Sequence, residues 1–282
     1  MRTARLITTA VVIALTWAIG KAMSPAGREH TSGTNGVTTM EIDSLRLTTI
    51  RDDAGEKRMP NKLFYGKTDS AKVERLSPEG SVASSVSCFL VETRGMKVLF
   101  DTGNGQERGG MLLQRLEEIG VSPRDIDYLV ITHFHGDHIG GMMANGKPVF
   151  TNAWVYVPEA EYAAWQAMSD KGAKMAMETM KAYEKRLRRF RYTDALPLGI
   201  RPMAAPGHTP GHTVYQMGRL FVAGDLFHGF DLQIQDLSIC PGYDMNRRQA
   251  AASREKYVEY VKTHKLVMAG MHLPGNGVKE EL

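Results

Sequence analysis

Cysteine is scarce in this chain: Cys88 and Cys240 are the only two in 282 residues, which excludes a disulfide framework as what holds it together. Cys88 stands in an apolar run and reads as a small buried side chain. Internal repeats are missing, and so are low-complexity tracts beyond one Ser/Thr/Gly-rich segment at 24–39, so solenoids and fibrous arrays are excluded. An apolar stretch of bilayer-spanning length, about 20 residues, is missing too. The N-terminal run from Leu6 to Ile19 comes to 14 residues and is broken by Thr8, Thr9 and Thr16.

That run follows Arg2 and Arg5 and leads into Gly20 and Ala22. A basic start, a short apolar middle and a small-residue exit make the pattern of a secretory signal peptide, expected over residues 1–22. The expectation is a periplasmic or secreted protein with no stable membrane insertion after cleavage; a retained anchor, or a cytoplasmic product starting at Met40, are the alternatives. Cleavage removes Arg2, Arg5 and Lys21, which takes the formal charge from +4 to +1. Little basic excess is then left for nucleic acid, which is not expected as a partner.

The segment 23–40 reads as a flexible tether, and residues 41–282 as one catalytic domain. Apolar, β-branched runs at 45–50, 86–92, 96–100, 128–132 and 154–157 predict one group of strands, and those at 213–217, 219–223 and 266–269 a second. Helical periodicity falls at 106–119, 158–168, 172–190 and 246–263. Runs as apolar as VSCFLVE and KVLFDT imply strands buried on both faces, hence an α+β arrangement of sheets covered by helices.

Chemistry concentrates in Thr132-His133-Phe134-His135-Gly136-Asp137-His138, directly after the apolar Tyr128–Ile131. A strand that ends in a loop can aim all four polar side chains at one point. Three imidazoles and a carboxylate within six residues suit zinc or a similar divalent ion. Satisfied core or surface histidines would not cluster so densely.

This HxHxDH run resembles the signature of the metallo-β-lactamase superfamily. Other segments resemble that family in order: Ala205-Pro-Gly-His208-Thr-Pro-Gly-His212, Phe221-Val-Ala-Gly-Asp225, Met268-Ala-Gly-Met-His272 and, upstream, Phe100-Asp101-Thr-Gly103. The resemblance implies a four-layer αββα sandwich of two mixed sheets flanked by helices. It also implies two zinc ions, or other divalent metals, one held by His133, His135 and His208 and the other by Asp137, His138 and His272, with Asp225 bridging. His212 would support the site, and Asp101 would hold a ligand imidazole in one tautomer or merely cap a turn.

Within the family the closest similarity is to methyl parathion hydrolase-like and lactonase-like hydrolases, through Gly224-Asp225-Leu-Phe-His228 and His272-Leu-Pro. Acyl homoserine lactone lactonases commonly carry a tyrosine three residues after the bridging aspartate, where this chain has His228. After Gly277 only Val278–Leu282 remain, where relatives continue with a further strand.

The implied function is cleavage of an ester, lactone or phosphotriester bond of a small-molecule substrate by a metal-bridging hydroxide. Asp137 and His228 are the candidate catalytic residues, one orienting the nucleophile and the other binding substrate or protonating the leaving group. β-Lactamase-type amide hydrolysis and an iron-containing oxidoreductase on the same scaffold are the alternatives; a binding module without activity is disfavoured by the presence of all seven candidate ligands. Residues 158–191 are expected over the pocket mouth, with Trp165, Met168, Met175, Met177 and Met180 either lining it or forming plain core. The cluster Lys181, Lys185, Arg186, Arg188, Arg189 and Arg191 reads as the solvated face of an amphipathic helix.

Overall fold

The computed structural model describes residues 31–32, 36–66 and 69–282. The signal peptide expected over 1–22 lies outside them. Among the described residues no helix is long and apolar enough to cross a membrane.

Two mixed sheets carry the fold. The larger runs, in spatial order, through Thr31–Ser32, Val37–Ile42, Leu45–Arg51, Ser87–Thr93, Met96–Phe100, Tyr128–Val130, Trp154–Pro158 and Leu187–Phe190. Its first half is antiparallel, and its last four strands are parallel neighbours. The smaller sheet orders Arg201–Ala204, Thr213–Met217, Leu220–Val222, Val267–Ala269 and Val278–Lys279.

Alternation along the strands sorts the core of the two sheets into three clusters, and a fourth gathers around Phe64 and Val73. From Ser87–Thr93, Phe89 and Val91 face inward to meet Tyr215, Leu220, Val222 and Val267 of the smaller sheet, while Cys88 and Leu90 face the helices Leu112–Glu118 and Lys171–Ala182 through Leu112, Leu116, Ala176 and Met180. Phe221 and Met268 point the other way, onto Tyr257, Val258 and Val261 of helix Arg247–His264. Helix, sheet, sheet and helix are thus layered, as the resemblance implied, because side chains of period two must bury both faces of each sheet. Tyr215 stitches the sheets together, its hydroxyl donating to the Ile131 carbonyl at 2.6 Å.

Three expectations need correction. The tether cannot extend to residue 40: Val37–Ile42 is a strand paired residue for residue with Leu45–Ile50, and Val37 and Met40 are buried. The helix expected over 172–190 stops at Ala182, and Leu187–Phe190 forms the parallel edge strand beside Trp154–Pro158. Tyr183, Leu187 and Phe190 have helical spacing, but the unpaired backbone of Trp154–Pro158 offers ladder bonds that a helix there would leave unmade. Of the basic residues only Lys181 stands on that helix; Arg188 stacks over Trp154 at 4.0 Å and Arg189 pairs with Glu159 at 3.2 Å. Finally, the chain after Gly277 does supply a short strand, Val278–Lys279, antiparallel to Val267–Ala269.

Candidate metal centre

Three strands end at one rim of the sandwich. Tyr128–Val130 leads into His133, Leu220–Val222 into Asp225, and Val267–Ala269 into His272, so residues from both sheets reach a common point. All seven candidate ligands come together there.

His133 Nε2, His135 Nδ1 and His208 Nε2 form a triangle with edges of 3.0, 2.8 and 3.2 Å. Asp225 Oδ2 lies 3.1 Å from His208 Nε2 and 3.7 Å from His133 Nε2. A tetrahedral ion with arms of about 2.0–2.1 Å sets its donors about 3.3–3.4 Å apart, so this quartet has the dimensions of a zinc cage. The second group is His138 Nε2, 3.1 Å from Asp225 Oδ1 and 3.8 Å from Asp137 Oδ1, with His272 Nε2 at 3.2 Å from Asp225 Oδ2 and 3.5 Å from Asp137 Oδ2. Asp225 is therefore the carboxylate common to both groups.

The polar atoms facing inward are short of partners. His138 Nε2 and Asp225 Oδ1 are fully buried and make no hydrogen bond, an arrangement that costs several kcal/mol per site unless a cation satisfies it (about 1–3 kcal/mol for each neutral group, more if charged). The donor set fits a pair of divalent ions.

Behind the ligands, three imidazoles are oriented by partners of their own. Asp101 Oδ2 sits 2.6 Å from His138 Nδ1, while its carboxylate also accepts the Thr132 N–H at 2.8 Å and hydroxyl at 2.7 Å. Asp244 Oδ1 lies 2.8 Å from His208 Nδ1, and His272 Nδ1 donates to the Ser85 carbonyl at 2.6 Å. In each case the second nitrogen is left aimed at the centre. His212 acts on the carboxylate instead: its Nδ1 donates to the Ala205 carbonyl at 3.0 Å and its Nε2 accepts the Asp225 N–H at 2.9 Å. Gly224 makes room for that bond, since at its φ of 52° any side chain would strike the His212 ring.

Burial governs protonation. It holds His133 well below the ordinary histidine range, and His135 and His212 at about 3, so all three are neutral at pH 7. Neutral imidazole is the form a metal ligand needs. Burial also opposes charge on His208, yet Asp225 and Asp244 outweigh it and raise that imidazole to about 9.

Several contributors escaped the sequence reading. Glu161, on helix Glu159–Gln166, accepts from the Phe134 N–H at 3.0 Å, the Gly211 N–H at 2.8 Å, the Thr209 hydroxyl at 2.8 Å and the Trp165 indole at 2.6 Å. It thereby ties the 133–138 loop to the 205–212 turn. Asp52 fastens the loop after Asp101 by accepting from Asn104 N–H at 2.7 Å and Leu112 N–H at 3.0 Å. Around the centre lies a cavity of about 340 Å³, walled by His135, Gly136, Asp137, His228, His272, Met59 and Tyr243. Trp165, Met168, Met175, Met177 and Met180 do not line it; Trp165 and Met180 are buried in the core beneath the larger sheet, and Met168, Met175 and Met177 pack half-buried against it.

The model of the metallo-beta-lactamase superfamily matches residues 82–267. The chain belongs to that superfamily. Curated relatives include an N-acyl homoserine lactonase of Bacillus sp, 29% identical over 159 residues, 49% of this chain and 60% of that protein, and one of Bacillus thuringiensis, 30% identical over 165 residues with the same coverage. The chain thus spans about 60% of the length of these relatives. Among solved structures, AidC, a dizinc quorum-quenching lactonase in complex with its product N-hexnoyl-L-homoserine, is similar with a TM-score of 0.78 and 25% identity, covering 86% of this chain and 92% of that one. The hydrolase AbOPH shares the fold with the same TM-score and coverage at 24% identity.

The Asp101 bond gives a direct expectation. Asp101→Asn keeps the shape but presents an amide to the Nδ1 of His138, so the ring loses its anchored tautomer; affinity for the more weakly held ion should fall about 10–100-fold. Competition titration with a metal chelator checks this, and unaltered affinity for both ions would refute it.

Proposed function

We propose that this chain is a binuclear zinc hydrolase that opens lactone or ester bonds of small molecules. The observation that carries the reading is the single carboxylate of Asp225, which reaches both groups of imidazoles: Oδ1 lies 3.1 Å from His138, and Oδ2 lies 3.1 Å from His208 and 3.2 Å from His272. A pair of divalent cations, when bound, lowers the pKa of coordinated water from 15.7 to about 7 and stabilises negative charge on a substrate oxygen.

This chain's residues do the rest. Asp225 and Asp137 supply the negative charge that concentrates cations at the cavity floor. Asp137 is the more open of the two, with 31% of its side chain exposed on the cavity wall, which places it to accept a proton from a bound water or substrate. The cavity is otherwise closed by Met59 and Tyr243, whose hydroxyl reaches the Met59 sulfur at 3.4 Å, an apolar mouth suited to an uncharged substrate. Expected catalysis needs no serine or cysteine: Cys88 and Cys240 are buried and free.

His228 stands where its Nε2 is 3.0 Å from Asp225 Oδ2 and its ring stacks on His272 with centroids 4.9 Å apart. Burial holds it at about 4, so at pH 7 it is a neutral imidazole that donates to Asp225 rather than a ready proton source. It is better placed to orient the shared carboxylate. His228→Ala should lower kcat about 10–100-fold with both ions retained; unchanged turnover would remove it from the mechanism.

The overall reading is tested on zinc-loaded protein with aryl esters, lactones, phosphotriesters and β-lactams. Ester and lactone turnover should vanish on chelation and return on adding zinc. Turnover indifferent to chelation, or purified protein unable to retain any divalent ion, would overturn it.

A further inference from the structure

Arg254 is the bulkiest of the side chains that the described part of the fold hides completely, with 1% of its surface exposed. It projects from helix Arg247–His264, on the buried face that also carries Ala250, Ser253 and Tyr257. That face meets the turn bearing His208. Ser253 donates to the Pro206 carbonyl at 2.7 Å and the Tyr257 hydroxyl to the Ala204 carbonyl at 2.6 Å. A Cβ on Gly207 would stand 2.0 Å from the Ala250 nitrogen, so helix and turn touch backbone to backbone.

A guanidinium is costly to bury unless it is both hydrogen-bonded and paired. Nε donates to the Leu226 carbonyl at 2.5 Å, and Nη1 to the Leu237 and Ile239 carbonyls at 2.6 and 3.0 Å. These bonds fix the plane of the fork. Nη2 then faces Asp244 Oδ2 at 3.7 Å, the guanidinium's one carboxylate partner among the described residues. Over that distance it acts through charge and not through a hydrogen bond.

Asp244 Oδ2 is buried and makes no hydrogen bond, while Oδ1 lies 2.8 Å from His208 Nδ1. Turning the carboxylate away from His208 would carry Oδ2 off the guanidinium. The cation therefore holds the orientation that aims Oδ1 at the imidazole. Leu226 directly follows Asp225, so the guanidinium is itself anchored on the turn that carries the shared carboxylate.

We infer that Arg254 is a positioning residue of the metal centre: it locks Asp244 against His208, and zinc affinity depends on a side chain that bonds to none of the ligands. The consequence for turnover rests on the hydrolase reading above. An arginine that merely pinned the 226–240 loop would act independently of Asp244.

The test compares Arg254→Met, Asp244→Asn, both together and Arg254→Lys in full-length protein. Each of the first two should weaken the ion at His133, His135 and His208 about 10–100-fold in chelator competition. Both should lower kcat on aryl esters while KM stays within about twofold. The double variant should lose no more than the worse single one, within about threefold, because both remove one and the same interaction. Arg254→Lys keeps the charge without the fork and should recover part of the loss. If Arg254→Met does not fold, Arg254→Lys takes its place in the cycle, and its smaller loss should disappear in the Asp244→Asn background.

Hydrogen exchange of the His208 ring Nδ1–H, followed by NMR, needs neither zinc nor turnover. It should quicken on the order of tenfold in Arg254→Met or, failing that, in Arg254→Lys. Losses that multiply in the double variant, or zinc affinity and ring protection both unaltered in folded Arg254→Met, would overturn the inference and leave the hydrolase intact. Ring protection lost as expected in a protein that turns over no ester would instead sink the hydrolase reading and keep the role of Arg254.

Discussion

Asp225→Ala should reduce hydrolysis by a factor on the order of 10³ or more and leave fewer than two ions bound per chain. No other side chain has the same reach: Oδ1 is 3.1 Å from His138, and Oδ2 lies 3.1, 3.2 and 3.7 Å from His208, His272 and His133. Burial works against its charge, but His138, His272 and His133 outweigh that and hold the carboxyl well below the usual range. The ionised form therefore persists through any pH at which the enzyme would be assayed. Without it, only Asp137, on the His138 and His272 side, faces the imidazoles with negative charge, and two adjacent cations would repel across the vacated site. Asp225→Asn separates charge from shape, since the amide fills the same space while removing the bridge. Metal analysis beside kcat/KM decides the matter: a folded Asp225→Ala protein that binds two ions and keeps activity within tenfold of wild type would show that the two groups are held by something else.

How much of this centre could be read in advance depended on sequence distance. His133, His135, Asp137 and His138 fall within six residues behind an apolar strand, so their convergence follows from local geometry. His208, Asp225 and His272 are each unremarkable alone, and only their order relative to a known family marked them. The layers were legible because VSCFLVE is apolar at every position but Ser87 and Glu92, and the structure shows Cys88 and Leu90 on one face with Phe89 and Val91 on the other.

What stayed hidden was decided by tertiary pairing. Leu187–Phe190 satisfies a helical pattern and became a strand because a sheet edge lay beside it. Ser84 and Ser85 carry no motif, yet the Ser85 carbonyl fixes His272 from 187 positions away. Tyr243, 38% exposed, was indistinguishable from any surface tyrosine until its ring was found 4.8 Å from His228.

Glu161→Ala should cost the protein about 3–5 kcal/mol of stability, although residue 161 lies outside both ligand motifs. A glutamate in the first turn of a helix that reads Glu-Ala-Glu-Tyr resembles a solvated acid. Here it is fully buried and answers four donors from three separate stretches of chain. Truncation leaves the Phe134 and Gly211 N–H groups, the Thr209 hydroxyl and the Trp165 indole without acceptors, each such buried donor costing about 1–3 kcal/mol with losses that are not additive. For a domain of this size each kcal/mol lowers Tm by about 2–4 °C, so a fall of about 10 °C is expected. Glu161→Gln should land between the two, because its single carbonyl oxygen can accept while its amide nitrogen confronts donors. Phe134 lies between His133 and His135, and Gly211 follows His208 by three residues. The same substitution should therefore loosen the His133, His135 and His208 triangle and weaken zinc binding there. Thermal unfolding with and without zinc reads both effects: a Tm within 2 °C of wild type together with undiminished zinc stabilisation would show that the two loops hold their register without this carboxylate.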